Sequence, residues 1–299
     1  MTTIKSSELI TNSDGSIFHL HLHPGEIAGK VILVGDPGRV EIIAGHFDRV
    51  ELRRANREFH AITGVYRGQR LSVLSTGIGT DNVDIVMNEL DALVNIDLAT
   101  RKIRETRQTL DIVRVGTSGV IQPDVPPGAF ILTETSIGLD GVLRYYKGHE
   151  HARDTGIETA FIEQCRWPAD LARPYAVHSS PSLVERLHVE GITHKGITLT
   201  ANGFYGPQGR VLRLPLQEEN ANERVARFAY RGARVVNYEM ESAAIAGLAA
   251  LMGHRAVAIC LAIVNRATGE TLPDRATRVE QLVAYTLEQL TRQPQNPLS

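Results

Sequence analysis

The sequence predicts an α/β protein in a single domain, and three observations carry that expectation. Short β-branched runs alternate with amphipathic helical stretches along the whole chain. Most of those runs are continuously apolar, the pattern of strands covered on both faces, where one-sided sheets alternate. No internal repeat, Pro/Gly/Ser-rich linker or shift in composition divides the 299 residues, a length able to bury a large core.

The elements follow in order. Strands are expected at Lys30–Val34 and Leu71–Ser75, then a helix whose apolar positions Val83, Val86, Leu90, Leu93 and Val94 recur every three or four residues. Further strands are expected at Asp111–Val115 and Ala129–Thr133. The charged stretch Gly148–Arg173 has no clear period and reads as an elaborated surface segment. Beyond it come strands at Gly196–Thr200 and Arg234–Asn237. The alanine-rich run Ser242–Met252 reads as a helix closed by Gly253, since glycine at that position takes the left-handed turn that ends helices. A strand at Ala256–Val264 precedes a last helix marked by Val279, Leu282, Val283, Leu287 and Leu290, and the tail Gln293–Ser299 is expected to fray.

Composition narrows the function classes. The chain is 42% hydrophobic and 22% charged, as soluble globular proteins are. Its 32 basic and 34 acidic residues leave a formal charge of −2, no excess that would recruit nucleic acid or an anionic membrane. Cys165 and Cys260 lie far apart, with Cys260 inside an apolar run, so no disulfide framework is expected. Met1–Ile17 is polar and no stretch approaches the length of a membrane span, which together predict a cytoplasmic protein.

Two features point to a site. The first is Val235-Val236-Asn237-Tyr238-Glu239-Met240-Glu241-Ser242, where a strand gives way to a helix. Carboxylates at the carboxyl edge of a sheet can face a ligand crevice. Neither glutamate has Lys or Arg at helical pairing distance, so a helix-surface ion pair does not explain them. The second is a set of three strands running into small-residue loops: Gly35-Asp36-Pro37-Gly38-Arg39, Gly77-Ile78-Gly79-Thr80 and Gly116-Thr117-Ser118-Gly119. Glycines let backbone amides approach an anion closely. Neither the P-loop nor the dinucleotide fingerprint fits them. Arg114, inside an apolar strand, must either pair with a core carboxylate or face a polar cavity, because burying a lone guanidinium costs several kcal/mol.

His19, His21 and His23 would share a face if they lay on a strand, but no further ligands accompany them as a zinc site would require. No Gly-x-Ser-x-Gly elbow and no Cys/His pair supplies a covalent nucleophile.

Read together with Asn237–Ser242 and with Phe204-Tyr205-Gly206-Pro207-Gln208-Gly209-Arg210, these loops resemble the nucleoside phosphorylases of trimeric or hexameric type, the uridine phosphorylases most closely, from about Phe18 to Asn265. The resemblance implies a mixed, partly barrel-like central sheet flanked by helices. It implies reversible phosphorolysis of a pyrimidine nucleoside, with inorganic phosphate as co-substrate and no cofactor required. Gly35, Arg39, Arg114 and Thr117 would hold phosphate, joined by Arg57 from a neighbouring subunit. Met240 and Glu241 would hold the ribose, with His19 reaching it from the same neighbour. Gln208 and Arg210 would pair with the base, while Phe204, Gly119, Ile263 and Val264 enclose its ring. Arg114, Glu241 and Arg210 would carry the catalysis. The partners implied are a nucleoside, phosphate and further copies of the chain, a dimer at least and a hexamer of three dimers in full. Some relatives hold a monovalent cation, K+, between subunits; Glu58 and the Ile78 carbonyl match its ligands, whereas Asn82 stands where they have Ser.

Three other readings remain. Purine phosphorylases of this family place an Asp near the end of the late strand, where this chain has Ile263-Val264-Asn265. A nucleosidase using water needs no arginine cage, which Arg39, Arg57 and Arg114 together would form. A non-catalytic nucleoside-binding module would leave that cage without a task.

Overall fold

A computed structural model describes residues 3–293. The expectation of a fraying tail falls, apart from Gln293, outside the described residues. In chain order the elements are β1 (Lys30–Val34), α1 (Pro37–Ala44), β2 (Arg49–Asn56), β3 (Phe59–Tyr66), β4 (Gln69–Ser75), α2 (Thr80–Asn95), β5 (Ile96–Asp97), β6 (Lys102–Ile103), β7 (Asp111–Val120) and β8 (Phe130–Gly138). Then follow α3 (Thr155–Cys165), β9 (Tyr175–His178), α4 (Pro181–Leu187), β10 (Thr193–Thr200), α5 (Ala221–Arg227), β11 (Ala229–Tyr230), β12 (Ala233–Glu239), α6 (Ser242–Met252), β13 (Arg255–Asn265) and α7 (Arg275–Thr291).

One mixed sheet organises the molecule, in the order β11-β12-β10-β8-β13-β7-β1-β4-β3-β2. Its middle curls on itself. β12 pairs parallel with β10 and antiparallel with the far end of β7, where Asn237 faces Val120 and Tyr238 faces Gly119. That extra pairing closes β7, β13, β8, β10 and β12 into a ring, the partly barrel-like sheet that the resemblance implied. The apolar runs read as doubly covered strands are covered on both faces: α2 and α6 pack on one side of the sheet through Val83, Val86, Leu90, Ala244 and Leu248. On the other side α1, α4 and α7 pack through Ile43, Leu183, Leu187, Leu282 and Leu287.

Several boundaries differ from the expected ones for physical reasons. The third Gly-rich segment is no loop: β7 continues through Gly116-Thr117-Ser118-Gly119 to reach β12. A Cβ at Gly116 would fall inside the Arg114 guanidinium, so the glycine is there to make room for a side chain, and chain reversal is not its purpose. The hairpin β2–β3 escaped notice because Arg-Val-Glu-Leu-Arg-Arg-Ala-Asn is an edge strand with both faces partly exposed, so it carries no apolar run. Gly148–Arg173 contains a short 3-10 turn at His149–Ala152 and the helix α3, whose N-cap Asp154 accepts from the Gly156 and Ile157 amides. His19, His21 and His23 are not on a strand, and His21 has φ +52°. Among the described residues no three His, Cys, Asp or Glu side chains gather as a metal site, and no helix is long and apolar enough to cross a membrane.

Candidate active site

The carboxyl ends of the barrel strands open into a cavity of about 630 Å³, a usual size for a small-molecule site. It is lined by Gly35, Asp36 and Arg39 from the β1–α1 turn, Arg114, Thr117, Ser118 and Gly119 from β7, and Phe204, Gln208 and Arg210 from the segment after β10. Glu239, Met240 and Glu241 at the β12–α6 junction and Ile263 and Val264 of β13 complete it, with Ile78, Tyr238, Thr271 and Arg275 at its margins. Residues separated by more than two hundred positions thus meet at one sheet edge, which is where an open α/β fold places ligands.

The buried end of the cavity is ionic. The Arg114 guanidinium, 5% exposed, donates through Nη2 to Glu241 Oε2, and its Nε lies 3.6 Å from Glu239 Oε2. Both readings of Arg114 therefore hold at once: it pairs with core carboxylates and it lines a polar cavity. Burial works against its charge, yet Glu241 and Glu239 hold its pKa above the ordinary arginine range. The two glutamates do different work. Glu239 Oε2 accepts from the Glu241 and Ser242 amides at 2.9 Å, which satisfies the free N–H groups that open α6, while its Oε1 accepts from Thr200 Oγ1 at 2.5 Å. Glu241 Oε1 accepts from the Gly79 amide at 2.8 Å, so the second Gly-rich turn holds a carboxylate with this amide, which sequence had assigned to an anion cradle. Burial raises the Glu241 carboxyl above its ordinary value, with Arg114 pulling the other way.

Arg39 is the second guanidinium. It sits in the first turn of α1, and its Nη1 donates to the Val115 carbonyl at 3.2 Å. Burial and then the charge of Arg114 depress its pKa, so two cations face one space in which an anion would relieve them both. Asp36 caps α1 through the Gly38 amide at 2.9 Å.

The other end of the cavity is built to read an edge and a face. Gln208 is 2% exposed, and its Oε1 accepts from Arg210 Nη1 at 2.5 Å, which leaves Nε2 as its remaining donor. Arg210 also donates to the Phe204 carbonyl at 2.6 Å, and its Cζ stands 4.0 Å over the Phe204 ring. The Phe204 face expected to cover a ligand ring thus carries a guanidinium instead.

Sequence reading gave Ser118 no role of its own beyond the Gly116–Gly119 segment and missed Arg266. Ser118 Oγ is buried in the cavity wall with no hydrogen-bond partner among the described residues. The Arg266 Cδ would lie 3.2 Å from a Cβ on Gly119, and its Nη1 is buried without a partner among the described residues. The only signal for Arg266 is its place after the late strand, next to Asn265.

Three expected contributors lie outside this lining. Arg57 is exposed at the β2–β3 turn with φ +52°. His19 is held by Glu89, whose carboxylate takes its Nδ1 at 2.6 Å and the His19 and Leu20 amides at 2.8–3.1 Å. Asn56 Nδ2 donates to the His19 carbonyl at 2.8 Å, so His19 and the Arg57 turn share one edge of the chain. Glu58 and Asn82 flank Gly77: a Cβ there would meet Asn82 Nδ2 at 2.5 Å and Glu58 Cγ at 3.0 Å.

The family model described as the phosphorylase superfamily matches residues 30–292. A uridine phosphorylase of Thermococcus kodakarensis is 30% identical over 271 residues, 89% of this chain and 83% of its own. A DeoD-type purine nucleoside phosphorylase of Geobacillus stearothermophilus is 29% identical over 280 residues, 92% of this chain and 99% of its own. Among solved structures, a Trypanosoma brucei nucleoside phosphorylase described as showing uridine phosphorylase activity superposes with a TM-score of 0.85 at 30% identity, covering 94% of this chain and 99% of that one.

Proposed function

The chain belongs to the phosphorylase superfamily, and from that footing we propose that it is a uridine phosphorylase, a pentosyltransferase converting uridine and inorganic phosphate reversibly to uracil and ribose 1-phosphate. One observation carries the reading: Arg39 and Arg114 line the same cavity as Glu241, Gln208 and Arg210. An anion site, a sugar carboxylate and a base-reading edge thus lie within one space.

The chemistry follows from charge. A phosphate oxygen attacks the anomeric carbon while the bond to uracil N1 breaks, and its electron pair leaves with the base. The transition state is a sugar cation between two anions. Arg39 and Arg114, with Thr117 and the Gly35 amide, hold the nucleophile, since guanidinium forks match phosphate oxygens. Glu241 accepts from the ribose hydroxyls, fixes the ring for in-line attack beside Met240, and stabilises the cation. Arg210 and the Gln208 amide take up charge on the departing uracil as an oxyanion hole does. Gly119, Ile263 and Val264 enclose the ring, while the Phe204 face is taken by the Arg210 guanidinium.

Asn265 weighs against a purine substrate. Its Nδ2 donates to the Gln122 and Val125 carbonyls at 2.9 Å, and its Oδ1 accepts from the Ala267 and Thr268 amides. Nothing on it is left to protonate a purine ring nitrogen.

The same reading makes the protein a cytoplasmic homo-oligomer, a dimer at least and a hexamer in full, in which His19 and Arg57 reach a neighbouring copy's cavity. Their shared edge outside their own cavity supports it. Glu58 and the Ile78 carbonyl would supply oxygen ligands to K+ between subunits, with Asn82 standing where some relatives have Ser.

Product identity tests the proposal. Uridine with phosphate should yield uracil and ribose 1-phosphate in equal amounts. Free ribose would mean water is the nucleophile, and no uracil would mean another base or a binding protein.

A further inference from the structure

We propose that Asn222, on α5 and outside the lining of the nucleoside cavity, is the positioning residue that sets the base-reading segment; the inference rests on Gln208 and Arg210 reading the base. Asn222 Nδ2 donates to the Gln208 carbonyl at 3.1 Å and to the Gly209 carbonyl at 3.3 Å. Its Oδ1 accepts from the Tyr238 hydroxyl at 3.0 Å. The amide orientation is therefore fixed by its surroundings: reversed, it would set an oxygen against two carbonyl oxygens. Tyr238 belongs to β12, so the rigid barrel holds Asn222, and Asn222 holds the loop.

Two further contacts converge on the same peptide. The Gly209 carbonyl also lies 3.4 Å from Arg266 Nη2. Gly209 itself takes φ +68°, and a Cβ on it would come within 2.2 Å of Asn222 Nδ2, so the glycine lets the amide seat against the chain. Gln208 and Arg210 flank this clamped residue, and a shift of the Gly209 peptide would move both at once. Loops carry recognition groups only as accurately as something rigid holds them.

Asn222→Asp keeps the side-chain shape and removes both donors, placing carboxylate oxygen against the two carbonyls. In the full-length protein it should raise KM for uridine by about tenfold, the effect of losing buried hydrogen bonds. KM for phosphate should stay within about twofold, because Arg39 and Arg114 lie on other elements. Tyr238→Phe removes only the donor that holds Oδ1 and should raise KM for uridine by about threefold, a second route to the answer if the aspartate variant fails to fold. An unchanged KM for uridine in a folded Asn222→Asp or Tyr238→Phe protein, or equal increases for uridine and phosphate, would overturn the inference alone. Failure of the unmodified protein to release uracil would overturn the base-reading role and the inference together.

Discussion

The Arg114 guanidinium and the Glu241 carboxylate are bonded to each other at the buried end of the cavity, with Glu239 3.6 Å from the same guanidinium. In the proposed reaction these are groups of opposite assignment, one for the incoming anion and one for the sugar. Their contact places nucleophile and electrophile side by side before either arrives, and in-line attack needs that proximity.

Removing Arg114 should therefore damage both tasks. Arg114→Ala is expected to lower kcat/KM by roughly 2–4 kcal/mol of transition-state stabilisation, by analogy with loss of one oxyanion donor. It should also destabilise the fold by about 3–5 kcal/mol, because two buried carboxylates lose their cation. Steady-state kinetics and thermal unfolding measure the two effects. Gly116→Ala offers a control that keeps the charge: the new methyl would occupy the guanidinium's position, so activity should fall by a comparable factor. Near-normal turnover in either variant would remove Arg114 from the mechanism.

Burial raises the Glu241 carboxyl above its ordinary value of 4.5. A raised carboxyl favours the folded state when protonated, so its contribution to stability is fully present below the ordinary value and fades as pH rises through the raised one. Activity moves the opposite way, since only the ionised form accepts from both ribose hydroxyls. The profile of kcat/KM for uridine should fall on the acid side at a pH above 4.5, and Glu241→Gln should abolish that limb. An acid limb retained in the glutamine variant would assign it to another group.

Gln208 is buried and its carbonyl is taken by Arg210, so its amide is a fixed donor. Gln208→Ala should raise KM for uridine by about tenfold with KM for phosphate unaltered, the cost of one buried hydrogen bond. An unchanged KM for uridine would end the case for base reading at this position.

Arg266 presents effects of opposite sign. Burial depresses its pKa and its Nη1 has no partner among the described residues, so the fold bears an unfavourable charge there. Arg266→Met should raise Tm by about 2 °C while raising KM for uridine, because the Gly209 carbonyl loses a donor. A lower Tm would mark Arg266 as structural.

How much was legible depended on where each residue's partner lies. The helix Ser242–Met252 was read to the residue because its stop signal is local: Gly253 sits next to the run and takes φ +80°. Arg114 and Glu241 stand out because each sits in a short segment whose residue types are unusual for its element, whereas Arg39 and Gln208 are picked out by the family resemblance; all four line one cavity. Glu89 was invisible, since nothing around it in α2 shows that it holds His19, 70 residues away. Asn222 was hidden in the same way among the polar residues that open α5. The Gly116–Gly119 segment reads as a loop because glycine usually marks one, whereas Gly116 admits Arg114 and β7 runs on to pair with β12.

The central claim is that guanidinium groups capture free phosphate as the nucleophile, and its most direct test is the rate of uracil release from uridine as phosphate is titrated. The account predicts a rate that rises from near zero and saturates, with saturation lost in Arg114→Ala. A rate independent of phosphate would contradict it.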